Sequence, residues 1–131
     1  LTLFVDASAM VAMLVKEPDH LELEARFGAA DNRLYSALSA WETSRAIAAI
    51  RAITILAAYT EVDAFTADFD MRLVPIGAAE AMIATVTYDR YGKGRHPARL
   101  NMGDCFAYAC AKTHDARLLY KGDDFSKTDL A

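Results

Sequence analysis

Four acidic residues, Asp6, Glu42, Asp104 and Asp123, stand far apart in the chain, yet each falls where a strand ends or a helix begins. Each has a structural explanation of its own. Asp6, between the apolar LTLFV and the helix-like SAMVAMLV, suits a helix cap. Ser39 to Glu42 fits the S-x-x-E capping box, Asp104 would complement a helix dipole, and Asp123 with Asp124 after Gly122 suits a turn. None of these readings explains why four cap or turn acids would gather in one place. Carboxylates brought close together repel and raise one another's pKa, so such a group is costly unless a cation neutralises it. Oxygen ligands without His or Cys companions favour a hard divalent ion, magnesium or manganese, which keeps several waters and accepts a phosphate oxygen. One ion or a pair can lower the pKa of a bound water, aim it at phosphorus and stabilise the departing oxygen. The expected chemistry is phosphodiester hydrolysis.

That chemistry requires elements that carry the four acids to one edge. LTLFV reads as a first strand and SAMVAMLVKE as a helix stopped by Pro18. DHLELEARFGAA has apolar residues at helical spacing, with Leu21, Ala25 and Phe27 toward a core. RLYSA is a second strand, and SAWETSRAIAAIRA an apolar helix anchored by Trp41, Ile47 and Ile50. ITILAAYTEVDAFTADFD continues as a helix with Ile55, Tyr59, Val62 and Phe65 or Phe69 in phase, although Ile53 to Ile55 also reads as a strand. MRLVPI is a third strand, GAAEAMIATVTYDRYG a helix, GKGRHPARLN a basic loop, GDCFAYACAKTHD a helix and ARLLYK a fourth strand. Strands alternating with helices across short connections indicate an α/β sandwich around a mainly parallel sheet of four to five strands. In such sheets the ligand crevice lies beyond the carboxyl ends of the strands, which is where Asp6, Glu42, Asp104 and Asp123 map.

The length of 131 residues and 54% hydrophobic content fit one domain, expected over residues 1–131. No apolar stretch reaches the length of a membrane span, because Asp6, Lys16, Glu17 and Pro18 interrupt the most apolar region. The first residues lack a basic secretion leader, so a cytoplasmic location is expected. Cys105 and Cys110 lie at a spacing unsuited to a disulfide or a metal and read as buried thiols. A net charge of −4 argues against a protein that coats nucleic acid by bulk charge. It does not exclude a nuclease whose acids hold cations.

VDASAMVAML, the Ser-x-x-Glu after the second strand, LNMGDCFAYACAK and LLYKGDDFSKTDL resemble, in this order and over nearly the whole chain, the PIN-domain endoribonucleases. The similarity is greatest to the VapC toxins of bacterial toxin–antitoxin pairs. It implies a PIN-like three-layer α/β/α sandwich and a magnesium-dependent endoribonuclease, with manganese as a possible substitute. The family's acidic positions fall on Asp6, Glu42, Asp104 and Asp123. Asp6 and Asp104 match its magnesium ligands; Glu42 and Asp123 complete the pocket, with Asp124 next door as an alternative fourth acid. Ser8 matches the hydroxyl of the first motif and would hold a ligand or a metal-bound water, or else serve as a helix-start hydroxyl. The resemblance also implies a homodimer, a cognate VapB-type antitoxin and a structured RNA substrate such as transfer RNA.

Lys93, Arg95, His96 and Arg99 form the densest positive stretch of an acidic chain. Either they are a solvated loop, or Lys93, Arg95 and Arg99 bind the RNA backbone that the carboxylates repel. A metal-activated water leaves His96 no catalytic duty, and His20 and His114 have no partners that suggest ligation. RAIAAIRAITILAAY is more apolar than the core of so small a domain needs, which fits a partner surface. Two other classes compete. A phosphoacceptor signalling domain would use Lys121 and an acid at a strand end, but it wants adjacent acids after the first strand, where Asp6 stands alone. A non-catalytic α/β interaction module would have no need of all four acids.

Overall fold

The computed structural model describes residues 1–130; the expected domain span ends at Ala131, which lies outside the described residues. Four short strands, β1 (Thr2–Val5), β2 (Asn32–Tyr35), β3 (Arg72–Leu73) and β4 (Arg117–Leu119), form one parallel sheet in the order β3-β2-β1-β4. Six helices connect them: α1 (Ala7–Val15), α2 (His20–Ala29), α3 (Ala37–Arg51), α4 (Ile55–Asp68), α5 (Ala78–Tyr91) and α6 (Met102–Thr113). The α/β class and the parallel sheet agree with the sequence pattern, and the sheet has four strands. Of MRLVPI only Arg72 and Leu73 join the ladder.

The chain runs from β1 outward to β2 and β3, then returns to place β4 on the other side of β1. β1 is therefore paired on both sides, Phe4 lying opposite Leu34 of β2 and Leu118 of β4. The reversal of strand order beside β1 opens the crevice at the carboxyl ends of β1 and β4.

Successive side chains of a strand point to opposite faces, and β1 uses both. Phe4 packs with Leu34, Leu118 and the inner faces of α5 and α6, whereas Leu3 and Val5 pack with α1, α2 and Leu119. A further cluster of Val11, Ile47, Ala58 and Val62 joins α1, α3 and α4. This layering buries Leu3, Phe4 and Val5 across both faces of the sheet and gives the residue that follows them a firm support.

Several expected core positions are instead exposed. In α2 the buried residues are Leu23 and Phe27, while Leu21 and Ala25 face solvent. In α3 only Ile47 of the three expected anchors is buried; Trp41 and Ile50 are exposed. The reason is the small-residue face that α3 presents to the core: Ser39, Ala40, Thr43, Ser44, Ile47 and Ala48. The Thr43 and Ser44 hydroxyls donate to the carbonyls of Ser39 and Ala40, each at 2.7 Å, so these polar groups are buried already satisfied. In a helix apolar nearly all round, side-chain size does not reveal the inner face. Val62 of α4 is buried, Ile55, Tyr59 and Phe69 are exposed, and Ile53 precedes a helix capped by Thr54 rather than entering a strand. α1 ends at Lys16, which takes a left-handed conformation with φ 58°, two residues before Pro18.

Truncation should reflect this layering. Phe4→Ala is expected to cost about 3–5 kcal/mol in urea unfolding, and Leu56→Ala, on the exposed face of α4, less than about 0.5 kcal/mol.

Candidate active site

Asp6 is held between the two strands that flank the crevice. Its backbone N–H donates to the Leu119 carbonyl at 2.9 Å, and its side chain caps α1. The Ser8 N–H and hydroxyl both donate to Asp6 Oδ2, at 3.0 and 2.6 Å. Ser8 Oγ in turn accepts the backbone N–H of Lys121 at 3.0 Å, tying the end of β4 to the first motif. The cap reading of Asp6 is correct, and it leaves Oδ1 outside that pair of bonds. Asp6 is only 6% exposed, and burial pushes its carboxyl above the ordinary range, with repulsion from Asp124 added.

Asp104 occupies the first turn of α6 in a reciprocal cap. Its Oδ2 accepts the Asn101 N–H at 3.0 Å while its own N–H donates to Asn101 Oδ1 at 2.9 Å. Burial raises the Asp104 carboxyl to about 7, helped by Asp124 and Asp6 and opposed by the Asn101 bond. Glu42 is placed differently from the sequence expectation. The capping box of α3 is made by Ser36 and Ser39, because the helix begins at Ala37. Glu42 therefore sits on the second turn, and among the described residues no hydrogen bond reaches its carboxylate. Its pKa rises to about 7 through burial first, then through Asp6 and Asp104.

Gly103, which residue-by-residue reading passes over, explains how Glu42 reaches this position. A Cβ on Gly103 would overlap the Glu42 carboxylate, so a larger residue at 103 would push that carboxylate out of its present position. The glycine immediately before the acid in LNMGDC was the available signal.

Of the two adjacent C-terminal acids, Asp124 is the one whose charge acts on Asp6 and Asp104. The Asp123 carbonyl accepts the Ser126 N–H and hydroxyl at 3.1 and 2.7 Å, closing the turn. Both line a cleft of about 370 Å³ with Lys93, Pro97, Ala98, Arg99, Asn101 and Lys127. Asp124 thus acts on Asp6 and Asp104, which in turn act on Glu42, while Asp123 lines the cleft beside Asp124.

The basic loop is folded rather than loose. Lys93 N–H donates to the Leu100 carbonyl, Leu100 N–H to Tyr91, and Ala98 N–H to His96 Nδ1 at 3.0 Å. His96 thus has a structural acceptor role, packed edge-on against Tyr91. Lys93 and Arg99 line the cleft; Arg95 does not, and its guanidinium lies 3.8 Å from Asp89. Lys127, from the C-terminal segment, adds a cation that sequence spacing did not mark. Among the described residues Lys93, Arg99 and Lys127 have no carboxylate partner within ion-pair distance. Lys121 is different: its Nζ pairs with Glu17 at 2.7 Å and Asp19 at 3.6 Å, away from Asp6. That removes the lysine a phosphoacceptor site would need.

The comparison with known proteins follows the same lines. The family model of the PIN domain matches residues 3–130. The chain belongs to the PIN-domain family, among the VapC ribonucleases. It is 42% identical to Ribonuclease VapC30 of Mycobacterium tuberculosis, over 97% of this chain and 95% of that protein. It is 40% identical to Ribonuclease VapC of Mycolicibacterium smegmatis, over 97% and 96%. Among solved structures, the Mycobacterium tuberculosis VapC20 toxin, which cleaves the sarcin–ricin loop, superposes with a TM-score of 0.73 at 17% identity, over 95% of this chain and 92% of that one. A toxin–antitoxin complex from Klebsiella pneumoniae gives 0.68 at 16% identity, over 99% and 94%. At those identities the structural likeness speaks for the PIN fold.

In this PIN domain the donor set is all carboxylate, which fits a hard divalent ion. Among the described residues no three His, Cys, Asp or Glu side chains are grouped closely enough to hold a metal by themselves. Asp6 and Asp104 would hold such an ion, and water would complete its shell.

The acids also fix the pH response of the metal-free protein. Glu42 and Asp104 are ordinary carboxylates in the unfolded chain and titrate at about 7 when folded. Between the two values the folded state binds more protons, so stability falls as pH rises toward 7 and is level above it. Glu42→Gln is expected to flatten this decline by on the order of 1 kcal/mol after screening, read as urea midpoints at about pH 5 and about pH 8.

Proposed function

We propose that this PIN domain is a magnesium-dependent endoribonuclease toxin that hydrolyses phosphodiester bonds of structured RNA and is inhibited by a VapB-type antitoxin. The observation that carries the reading is the convergence of Asp6, Glu42, Asp104 and Asp124, delivered by separate segments, beside a cleft bearing Lys93, Arg99 and Lys127. Asp6 and Asp104 would hold the ion, with manganese as a possible substitute; Glu42 and Asp124 would complete its surroundings, Asp124 in preference to Asp123. When bound, the ion supplies Lewis-acid activation of water and neutralises charge at phosphorus.

The protein's own groups divide the remaining work. Ser8 spends its proton on Asp6 Oδ2 and a lone pair on Lys121, so it fixes the Asp6 rotamer. Glu42, without a hydrogen bond and titrating at about 7, is the group placed to hold or pass a proton at its carboxylate oxygens. Lys93, Arg99 and Lys127 face the RNA backbone and offset its repulsion by the acids.

Further support comes from the relatives. VapC20 is a toxin that cleaves the sarcin–ricin loop, and the Klebsiella neighbour is a toxin–antitoxin complex. Ile50, Ile53, Ile55, Leu56 and Tyr59 form an exposed apolar run over α3 and α4, which fits a homodimer or antitoxin contact. Among the described residues no helix is long and apolar enough to cross a membrane.

Purified protein should cleave RNA with magnesium and stop with chelator, and Asp104→Asn should lose about 10²–10³-fold in rate. Equal cleavage by that variant would refute the assignment. Asp124→Asn should lose more activity than Asp123→Asn. Arg99→Ala and Lys127→Ala should each lower the salt slope of RNA binding by roughly 0.7–0.9, and Arg95→Ala by less.

A further inference from the structure

A second cavity, of about 540 Å³, lies between α5 and α6. Its lining includes Thr85, Tyr88, Asp89, Met102 and Phe106, and it shares Lys93 and Asn101 with the cation-bearing cleft. Asn101 is also the residue hydrogen-bonded twice to Asp104. The cavity, the cleft and the acid cluster are therefore continuous around the start of α6.

The aromatic wall of this cavity is built in place. A Cβ on Gly92 would strike the Tyr88 ring, at 2.7 and 2.9 Å from two of its carbons, so the ring lies directly on the backbone of residue 92. The Tyr88 hydroxyl donates to the Lys93 carbonyl at 3.4 Å, fixing the far end of the ring. Tyr88 and Met102 remain 41% and 60% exposed, so this apolar surface is open to a ligand. Polar groups stand at the rim. Asn101 uses its side-chain oxygen on Asp104, and among the described residues its amide NH₂ has no partner.

A fixed aromatic face beside a row of unpaired cations is the arrangement that captures unstacked nucleotides: cations track the phosphates while a ring stacks on the base. We infer that the cavity between α5 and α6 is a nucleobase subsite, which receives one unpaired base of the RNA strand adjacent to the scissile phosphate, stacked on Tyr88. The inference rests on the ribonuclease reading and adds a selection rule to it. A double-stranded substrate cannot deliver a base there, so cleavage requires an unpaired nucleotide at one position flanking the cut.

The test uses a short RNA oligonucleotide cleaved at one known bond and a series in which each flanking nucleotide in turn is made abasic. The native protein should show KM raised about 10-fold or more for one abasic position and little change for the others. Tyr88→Ala should raise KM to a similar extent on the intact RNA and add no further loss on that abasic RNA, while Tyr88→Phe, which keeps the ring, should stay close to the native value. Additive losses in Tyr88→Ala, or an unchanged KM, overturn the subsite while leaving the ribonuclease reading intact. A change in oligomeric state with no change in KM assigns the cavity to protein contact and also overturns it. Failure of the native protein to cleave any RNA overturns both readings.

Discussion

Asp6 is placed at the carboxyl end of a strand buried on both faces, nearly out of water, with Asp104, Glu42 and Asp124 around it. Burial makes Asp6, Glu42 and Asp104 harder to ionise, and the neighbouring carboxylates add to the effect. Arg45 eases the ionisation of Glu42 only in part; Lys93, Arg99 and Lys127 stand along the adjoining cleft, and Lys121 is turned to Glu17 and Asp19. A protein that served only its own stability would place apolar or neutral residues here. The repulsion is sustained because β1 is clamped by β2 and β4, because Ser8 holds Asp6 and a reciprocal cap holds Asp104, and because Gly103 leaves room for the Glu42 carboxylate.

The surrounding elements read as consequences of that arrangement. Reversal of strand order beside β1 creates the crevice, α3 brings Glu42 across from the second strand, and α6 starts with its acid facing the same space. The segment after β4 returns with Asp124 and Lys127. Acidic centre and basic flank are thus fixed by the same few connections, which is how an acidic protein can meet a polyanion.

The order of elements was legible because strand and helix periods differ, and LTLFV, RLYSA and ARLLYK differ visibly from the small-residue helices between them. The grouping of acids followed from the rule that parallel sheets gather ligands at their carboxyl edge. Four features were not legible. The inner face of α3 is made of alanine, serine and threonine, so Trp41 and Ile50 misled by size. The choice between Asp123 and Asp124 depends on the turn that follows Gly122, with φ 91°, and adjacent residues of a turn differ in direction rather than in composition. Gly103 is informative only through Glu42, a contact between residues 61 positions apart. Arg95 and Lys127 exchanged roles for a similar reason: proximity in sequence to the acid motif does not give proximity to the cleft.

The central claim is that the acids carry a charge conflict which a divalent cation resolves. Calorimetric titration with magnesium, repeated in buffers of different ionisation enthalpy, reads it directly, because an ion held by Asp6 and Asp104 beside Glu42 must displace the protons that Asp104 and Glu42 hold near neutrality. The account predicts release of roughly one proton per ion at about pH 6.5, falling toward zero at about pH 8.5, and loss of the signal in Asp6→Asn. Binding with no proton release at the lower pH, or no binding to the native protein, would contradict it.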